Sequence, residues 1–199
     1  MTASPEMRLI DPEGRRLYLT GEERAAFIRT ARKAPREVRT FCAVLHDTGV
    51  RISEALELTP SRIDLAAGAI TIRSLKKRRE DVFRVVPVPP DTLDDLGLVF
   101  GLREPEKRGK DHVDRLLWPW SRGTAWSRVI GVMKAAGIED GPHRCPKGLR
   151  HGYGVHAISH GVPLNMLRKW MGHASMETTA IYANALGAEE QGIAARMWI

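Results

Sequence analysis

The sequence predicts a mainly α-helical domain that holds one small antiparallel β-sheet. In the run 36–46 the apolar residues Val38, Phe41, Cys42 and Leu45 recur at intervals of one, three or four positions and form one stripe, which is typical of an amphipathic helix. Two nearby runs, 68–73 and 82–88, are rich in β-branched residues instead, and the polar turn between them predicts a β-hairpin. Many helices around one hairpin place the chain in the α+β class.

The first half of the chain is predicted to form helices after a short arm. The predicted elements are an arm over 1–19 with a short strand at 15–19, and helices over 20–32, 36–46 and 52–58. Thr20 and Glu23 form a capping-box pattern, in which each side chain accepts a hydrogen bond from the other residue's amide, so the first helix begins there. Thr48 and Gly49 break the second helix and separate it from the third.

The second half follows the hairpin with further helices. Pro89 and Pro90 end the second strand, and Asp91 is predicted to cap a short helix that runs to Leu96. The stretch 101–113 is polar and contains Gly and Pro, so it is predicted to be a loop. The remaining helices are predicted over 124–136, 147–160, 163–171, 176–185 and 189–197.

The chain is basic, and its charge indicates which kind of partner it would bind. Its 199 residues carry 31 basic and 24 acidic side chains, which gives a formal charge of +7 and a pI near 9.8. This balance favours a polyanionic partner, with nucleic acid as the leading candidate, although a basic surface without a partner would give the same numbers. The apolar share of 43% is sufficient for the core of one ordinary domain.

Other features of the sequence exclude several classes of protein. The two cysteines, Cys42 and Cys145, are too few for a disulfide framework or a four-cysteine zinc site, and we expect both to stay reduced. The sequence has neither the apolar core of a signal peptide nor 18 consecutive uncharged apolar residues, so we expect no membrane span and a location in the cytoplasm or nucleoid of a prokaryote. His156 and His160 share a helical face, but no third ligand has suitable spacing, so no metal site is predicted.

The run that begins at Lys147 carries chemically active side chains at fixed intervals. Arg150 follows closely, Gly172 and His173 form a pair further on, and Tyr182 comes last. Arg150 and His173 are 23 residues apart, and Tyr182 follows His173 by 9 residues. A guanidinium donates two parallel hydrogen bonds to a phosphate and stays charged. An Arg, a His and a Tyr that meet in one basic cleft can therefore hold a phosphodiester and attack it.

This spacing resembles that of the tyrosine recombinase (phage integrase) family, whose signature ends in Gly-His followed by a nucleophilic Tyr. A second segment, 47–56, resembles the other signature of that family, in which a Thr-Gly turn presents the first catalytic Arg, here Arg51. Glu54 lies three residues further on and could orient Arg51. The resemblance covers about residues 20–185 and implies the tyrosine recombinase catalytic-domain fold.

The resemblance also implies how the chain is divided. We expect the catalytic domain over 20–187, after the arm 1–19 and before a C-terminal helical tail over 188–199. Most members of the family carry an additional N-terminal helical domain that clamps the far side of the DNA, whereas only about 20 residues precede the first helix here. We therefore expect either a compact member that consists of the catalytic domain or a fragment of a longer protein.

The resemblance implies a catalytic role for each motif residue. Arg51 and Arg150 would bind the scissile phosphate, and His173 would donate to it. Lys76, on the hairpin after the first Arg, would protonate the leaving 5′ oxygen. Tyr182 would be the nucleophile, and nearby cationic side chains would favour its phenolate, since a free phenol has a pKa of about 10.

Lys147 is a departure from the family pattern, because most members have His three residues before this Arg. A Lys can donate to a phosphate oxygen, and the family varies at this position. An ammonium cannot accept a proton at neutral pH unless its pKa falls. If the reaction needs a base toward the Tyr, Lys147 is a poor candidate for it.

Further basic residues are candidates for DNA contacts. Lys77 is adjacent to Lys76 and competes with it for the role of general acid. Alternatively, the basic residues of the hairpin tip only attract DNA phosphates, and none of them is the general acid. The candidate DNA-binding residues are Lys77, Arg78, Arg79, Arg122 and Arg128.

The function implied by the resemblance is site-specific DNA recombination. Tyr attack would give a 3′-phosphotyrosine link and a free 5′-hydroxyl, which conserves the bond energy, so neither ATP, a metal ion nor another cofactor is implied. Members of the family act as tetramers on paired sites in double-stranded DNA and pass a C-terminal helix to a neighbour; a tail docked on its own domain is the alternative here. Two other functions stay open, a type IB topoisomerase-like enzyme and a catalytically weak DNA-binding regulator.

Overall fold

The described residues form helices that pack against a three-stranded sheet. A computed structural model describes residues 8–75, 82–104, 114–184 and 188–198. The helices are α1 (Gly21–Ala31), α2 (Arg36–Thr48), α3 (Ile52–Ala55), α4 (Pro90–Phe100), α5 (Arg122–Ala135), α6 (Pro146–Ser159), α7 (Leu164–Met171), α8 (Glu177–Ala180) and α9 (Ala188–Ala194). The strands are β1 (Ile63–Asp64), β2 (Ala69–Arg73) and β3 (Phe83–Pro87). The predicted α+β class, mostly helical with one small antiparallel sheet, is confirmed.

The sheet has the order β1–β2–β3, and both of its strand pairs are antiparallel. The predicted hairpin corresponds to β2 and β3, whereas β1 was not predicted, because a strand of two residues has no detectable alternation. Ile70 pairs with Val86, and Ile72 pairs with Arg84. Side chains alternate between the two faces of a strand, so Arg84 lies on the same buried face as Val86. A charged side chain therefore occupies a position in β3 that faces the interior.

The capping box at the start of α1 forms as predicted. Thr20 Oγ1 accepts from the amide of Glu23 at 3.2 Å, and Glu23 Oε2 accepts from the amide of Thr20 at 2.8 Å. The Glu23 carboxylate also binds the Arg16 guanidinium, at 2.5 and 2.8 Å, which fastens the arm to α1. The strand predicted at 15–19 is wrong. Among the described residues the backbone there makes one isolated bridge, from Arg16 to Ile10, and no described strand extends the pairing.

Two helices differ from their predicted bounds. The helix predicted over 52–58 is the single turn α3, which ends at Ala55. The chain then turns so that the Leu58 carbonyl can accept from the Leu117 amide at 2.9 Å. Asp91 does not cap α4, because Pro90 is already the first helical residue and suits that position with its fixed φ. The helix continues beyond the predicted end at 96 until Gly101, whose φ of 62° terminates it.

The interior is divided into two clusters of buried apolar side chains. The larger cluster lies around α2, where Phe41 contacts Trp118 edge to face with ring centroids 5.1 Å apart. The smaller cluster lies between α6 and α7 and includes Tyr153 and Tyr182. None of the helices in the described part of the chain is both long and apolar enough to cross a membrane.

The end of the chain positions Tyr182. The helix predicted over 176–185 is instead the short helix α8 followed by a 3₁₀ turn over Ile181–Asn184, and Tyr182 lies on that turn. The tail forms α9, which packs against α6 of its own chain, and then a further 3₁₀ turn over Ala195–Met197.

Candidate active site

A cleft of about 450 Å³ lies where the turn before α3, the start of α6 and the end of α7 meet. Its basic lining consists of Arg51, Arg122, Lys147 and Arg150, beside the imidazoles of His151 and His173. Several cations around one concavity produce a positive potential that attracts anions, and a low-dielectric wall strengthens it. The cleft therefore has the electrostatic character of a phosphate site.

Arg150 lies at the back of this cleft and is 8% exposed. Its Nη1 donates to the Gly49 carbonyl at 2.5 Å, and its Nη2 donates to the Met171 carbonyl at 2.7 Å and to His173 Nε2 at 3.0 Å. These contacts use three of the five guanidinium N–H groups within the described residues, which leaves two for a ligand. Burial, and then the charge of Arg51, lower the pKa of Arg150 to about 9, so Arg150 is still a cation at neutral pH.

Arg51 is held by a carboxylate that also binds a second arginine. Glu54 Oε1 lies 2.9 Å from Arg51 Nη1, and Glu54 Oε2 accepts from the Arg51 amide at 3.2 Å. Arg84 Nη2 approaches the same carboxylate from β3, 2.6 Å from Oε2. Burial raises the pKa of Glu54, but the hydrogen bond and charge of Arg84, and then the charge of Arg51, outweigh it and hold that pKa below its usual range. Arg51 keeps 26% of its side chain exposed, toward the cleft.

Arg84 was not predicted from the sequence, although its side chain joins several of these elements. Its Nε donates to the Trp170 carbonyl at 2.8 Å, and its Nη1 donates to Ser74 Oγ at 2.9 Å. It thus links α3, the sheet and the end of α7. The only signal in the sequence is an Arg at an inward-facing position of an alternating strand, which is recognisable only when the register is known.

His173 follows Gly172, which ends α7 with a φ of 68°. A Cβ at this glycine would lie 2.9 Å from Arg84 Nη1, so the close approach of Arg84 also requires glycine here. His173 Nε2 must accept from Arg150, because a guanidinium only donates, and Nδ1 then donates to Thr179 Oγ1 at 3.0 Å. Burial, and then Arg150, lower the pKa of His173 to about 3. Neutral and held in this way, His173 has no N–H directed at a bound anion, so its donation to a phosphate stays a prediction.

Tyr182 lies directly behind the cleft, and its side chain is fully buried. Its ring stacks on that of His173 with centroids 6.1 Å apart and an interplanar angle of 21°. The opposite contact is with α6 at Gly154, where a Cβ would lie 2.6 Å from both Cε1 and Cζ of the tyrosine. Only glycine allows this approach. Tyr182 does not itself line the cleft.

The Tyr182 hydroxyl is protonated and hydrogen-bonded in this arrangement. Burial raises the pKa of Tyr182 to about 12, against the opposing effects of Arg150 and Arg51. Arg150 and Arg51 do favour the phenolate, as expected, but the loss of solvent outweighs them and the hydroxyl keeps its proton. The hydroxyl lies 3.2 Å from His151 Nδ1.

His151 was not among the predicted site residues, yet it lines the cleft and contacts the hydroxyl of Tyr182. The sequence carries one signal that would have found it. His151 follows Lys147 by four residues on a helix, so both side chains share a face.

The other candidates fall into three groups. Lys147 and Arg122 are exposed and line the cleft. Arg128 does not join them, because its guanidinium lies 3.9 Å over the ring of Trp120 and borders a different surface depression. The hairpin-tip candidates lie outside the described residues; they are Lys76, Lys77, Arg78 and Arg79.

Comparison with known families agrees with this geometry. A family model described as "Phage integrase family" matches residues 18–189, which contain every lining residue of the cleft and Tyr182. The chain belongs to the phage integrase family. The resemblance of the two signature segments to that family is therefore confirmed.

Relatives within the phage integrase family include tyrosine recombinases named Xer. The chain is similar to tyrosine recombinase XerA of Thermococcus kodakarensis, with 27% identity over 82% of this chain and 56% of the relative. It is also similar to tyrosine recombinase XerD of Neisseria meningitidis serogroup A, with 30% identity over 78% of this chain and 53% of the relative. The chain thus spans about half the length of the curated relatives it matches.

A solved structure of a phage integrase family member shows the same fold. The crystal structure of XerA recombinase superposes with a TM-score of 0.74 and 26% identity, over 90% of this chain and 64% of that chain. This likeness establishes the tyrosine recombinase catalytic-domain fold for the chain.

Proposed function

We propose that this chain is the catalytic part of a site-specific DNA recombinase, which cleaves and rejoins DNA through a 3′-phosphotyrosine intermediate. The observation that carries the proposal is that Arg51, Arg150 and His173 line one cleft. The Tyr182 hydroxyl lies behind this cleft and contacts the imidazole of His151, which is part of the cleft wall. A formal charge of +7 suits duplex DNA, whose phosphates dominate the affinity of its binding proteins. The names of the similar Xer proteins describe the same reaction class.

In the proposed reaction, the Tyr182 hydroxyl oxygen attacks the scissile phosphorus, and the bond from phosphorus to the 5′ oxygen breaks. Arg51 and Arg150 donate to the non-bridging oxygens, whose negative charge increases in the transition state. Lys76 gives a proton to the leaving 5′ oxygen. The phosphotyrosine keeps the energy of the broken bond, so a 5′-hydroxyl from the same or another strand can reverse the step and reseal the DNA without ATP.

We also propose the division of the chain and its contacts with DNA. The catalytic domain spans 20–187, and the family match over 18–189 supports these limits. Arg122 contacts phosphates from the wall of the cleft, and Arg128 contacts them further along the surface. The hairpin-tip residues Lys77, Arg78 and Arg79 contact phosphates of the DNA backbone near the position proposed for Lys76.

The proposed assembly is a homotetramer on two paired DNA sites. Met197 and Trp198, which are 77% and 70% exposed, give the tail an apolar surface for a neighbouring copy. In the chain itself α9 packs on its own α6, so exchange requires the tail to leave that position. Size-exclusion chromatography with and without DNA, on the full chain and on a chain that ends at Gly187, tests this. If the truncated chain assembles on DNA as the full chain does, the tail is not the interface.

A catalytically weak DNA-binding regulator is the second candidate. The burial of Tyr182 favours it, because the hydroxyl must reach the cleft before it can attack. The two candidates differ in one observable, a covalent bond between Tyr182 and DNA.

The test is covalent capture from a duplex library. A pool of nicked duplexes with a random central segment is incubated with the full chain in EDTA, and DNA that stays attached after denaturation is sequenced. Capture of a defined site by the wild type, with none by Tyr182→Phe, is expected. Because of the nick near the scissile bond, the short fragment that carries the new 5′-hydroxyl dissociates after cleavage. Religation then cannot occur, and the adduct accumulates. Equal absence of an adduct for both proteins, with sequence-selective DNA binding retained, would establish the regulator instead.

A further inference from the structure

His151 separates the cleft from the proposed nucleophile. Its Nδ1 lies 3.2 Å from the Tyr182 hydroxyl, and the two ring centroids are 5.8 Å apart. The side chain is only 2% exposed, yet it forms part of the cleft wall. His151 therefore lies between the cleft and the Tyr182 hydroxyl, with which it makes a direct contact.

The second nitrogen of His151 is buried and has no hydrogen-bond partner within the described part of the chain. A buried polar atom without a partner costs roughly 1–3 kcal/mol. An apolar side chain at this position would avoid that cost and would still pack against the tyrosine ring. A buried polar atom of this kind calls for an explanation, and a chemical role for the imidazole supplies one.

Burial, together with the charges around His151, keeps its imidazole neutral. Lys147 and Arg150 face it from α6, while His173 and Tyr182 face it from the end of α7 and from the 3₁₀ turn. Burial, and then Lys147 and Arg150, lower the pKa of His151 to about 3. A neutral imidazole has one lone pair and one N–H, so Nδ1 can accept from the tyrosine hydroxyl while Nε2 carries the proton.

We propose that His151 is the catalytic base for Tyr182, a role that Lys147 cannot fill. This inference rests on the proposed recombinase function. As the bond from the Tyr182 oxygen to phosphorus forms, the phenolic proton moves to His151 Nδ1 and gives an imidazolium. The bond from phosphorus to the 5′ oxygen breaks, and the 5′ oxygen takes a proton from the separate general acid, proposed to be Lys76. Rejoining reverses each transfer, and the imidazolium returns its proton to the departing tyrosine oxygen.

The neighbouring basic groups are poorer candidates for the base. An ammonium has no lone pair, so Lys147 can stabilise a phosphate but cannot take a proton while charged. Both nitrogens of His173 already have partners, Arg150 and Thr179. His151 Nδ1 is the imidazole nitrogen that contacts the Tyr182 hydroxyl directly within the described residues.

The timing of the proton transfer follows from the two pKa values. With the pKa of Tyr182 near 12 and that of His151 near 3, the proton cannot leave before the attack. The acidity of the phenol increases sharply as its oxygen bonds to phosphorus, so transfer accompanies bond formation. The bound phosphodiester also places a negative charge beside Arg150 and Lys147, which reduces their repulsion of the imidazolium.

The experiment compares two substitutions on two substrates. The captured DNA site is prepared with an ordinary scissile phosphodiester and with a sulfur in place of the leaving 5′ oxygen, because a thiolate leaves without a proton. His151→Gln keeps a hydrogen-bond acceptor but cannot take up a proton. Lys76→Ala removes the proposed general acid and is the matched control. The rate of covalent adduct formation is measured from about pH 6 to about pH 10, the upper limit being near the ordinary pKa of a phenol.

We expect His151→Gln to slow adduct formation by roughly 10²–10⁴-fold near neutral pH, the usual contribution of a general base. The sulfur substrate should restore Lys76→Ala but leave His151→Gln slow, because the defect is at the nucleophile. The rate of His151→Gln should increase with pH as the phenol ionises without help. A purely structural role predicts a pH profile parallel to that of the wild type, since misplacement of the ring lowers the rate equally at every pH.

Three results would overturn the inference while the recombinase function stands. They are a His151→Gln rate equal to that of the wild type, restoration of His151→Gln by the sulfur substrate, and a slow rate whose pH profile is parallel to that of the wild type. If the wild type forms no adduct with any captured or random duplex, the proposed function fails and this inference fails with it. Adduct formation by the wild type, abolished in Tyr182→Phe, shows that the recombinase function stands. A failure that is then confined to the His151→Gln results concerns the His151 inference alone.

Discussion

Arg84 and Glu54 form a buried ion pair, with Nη2 2.6 Å from Oε2 and with 5% and 0% of their side chains exposed. Arg84 comes from the sheet, whereas Glu54 comes from the helical turn that holds Arg51. The carboxylate therefore serves two arginines, one that faces the interior and one that faces the cleft. Burial of a single charge is costly, and a pair is retained only when its hydrogen bonds are satisfied.

Substitution of Glu54→Gln should destabilise the fold and weaken the site together. The change leaves Arg84 buried without a counter-charge, which typically costs about 3–5 kcal/mol. Urea unfolding should show this loss, while Asp94→Asn, which removes the exposed partner of Arg103, should cost no more than about 1 kcal/mol. Similar losses for the two variants would mean that Glu54 is hydrated rather than tightly paired.

Adduct formation should require arginine itself, and not merely a positive charge, at positions 51 and 150. Arg51→Lys and Arg150→Lys keep a cation but lose the planar fork that donates twice to one phosphate. We expect each to reduce the rate of adduct formation by roughly 10²–10³-fold, the usual effect of removing one donor from an oxyanion site. Arg128→Lys, which lies over Trp120 outside the cleft, should change DNA affinity modestly and the cleavage rate little. Adduct rates that follow affinity alone in all three variants would contradict this assignment.

Gly154→Ala should displace Tyr182. The added Cβ would lie 2.6 Å from the tyrosine ring, so the 3₁₀ turn must shift, and overpacking of this kind usually costs about 1–3 kcal/mol. Gly131→Ala is the matched control, because Gly131 lies in helix α5 with open space around its Cβ position and should gain roughly 0.5–1 kcal/mol. We expect Gly154→Ala to lose adduct formation while DNA binding, measured by electrophoretic mobility shift, persists.

Should Gly154→Ala cleave DNA as fast as the wild type, the contact between Tyr182 and α6 would have no part in positioning the hydroxyl. The control then identifies any general effect of a glycine replacement on helix stability.

The sequence predicted the parts of the site that lie close together in the chain or belong to a signature. The capping box at Thr20 and the hairpin follow from local hydrogen bonding and side-chain alternation, which are visible in a few residues. Arg150, His173 and Tyr182 could be named because their spacing repeats a known signature. Their common location then follows from the fold, in which the ends of α2 and α7 meet the start of α6.

The remaining features depend on tertiary packing and could not be read from the sequence. Arg84 is recognisable only when the strand register places it inside, and His151 only when the 3₁₀ turn brings Tyr182 to within 3.2 Å. The protonated state of Tyr182 depends on the balance between burial and nearby charge, and a sequence gives only the charge. The premature end of α3 is likewise a tertiary effect, because Leu58 pairs with a distant backbone segment.

Acid should destabilise the fold through the histidines of the site. The pKa values of His151 and His173 are both lowered to about 3, mainly by burial, whereas an unfolded histidine titrates near 6.5. Below about pH 6.5 the unfolded chain therefore binds protons that the folded chain does not, and stability falls by about 1.4 kcal/mol per pH unit for each such group. Stability is complete above this range and declines until the folded pKa is reached.

The free energy of unfolding by urea should accordingly decrease between about pH 7 and about pH 4.5, and His151→Gln should reduce the slope by about one proton. His160→Gln, which removes an exposed imidazole at the end of the same helix, controls for the loss of a histidine. A slope in His151→Gln that matches the wild type would show that His151 gains its proton as easily when folded as when unfolded. Such a result would also remove the neutral acceptor that the Tyr182 hydroxyl requires.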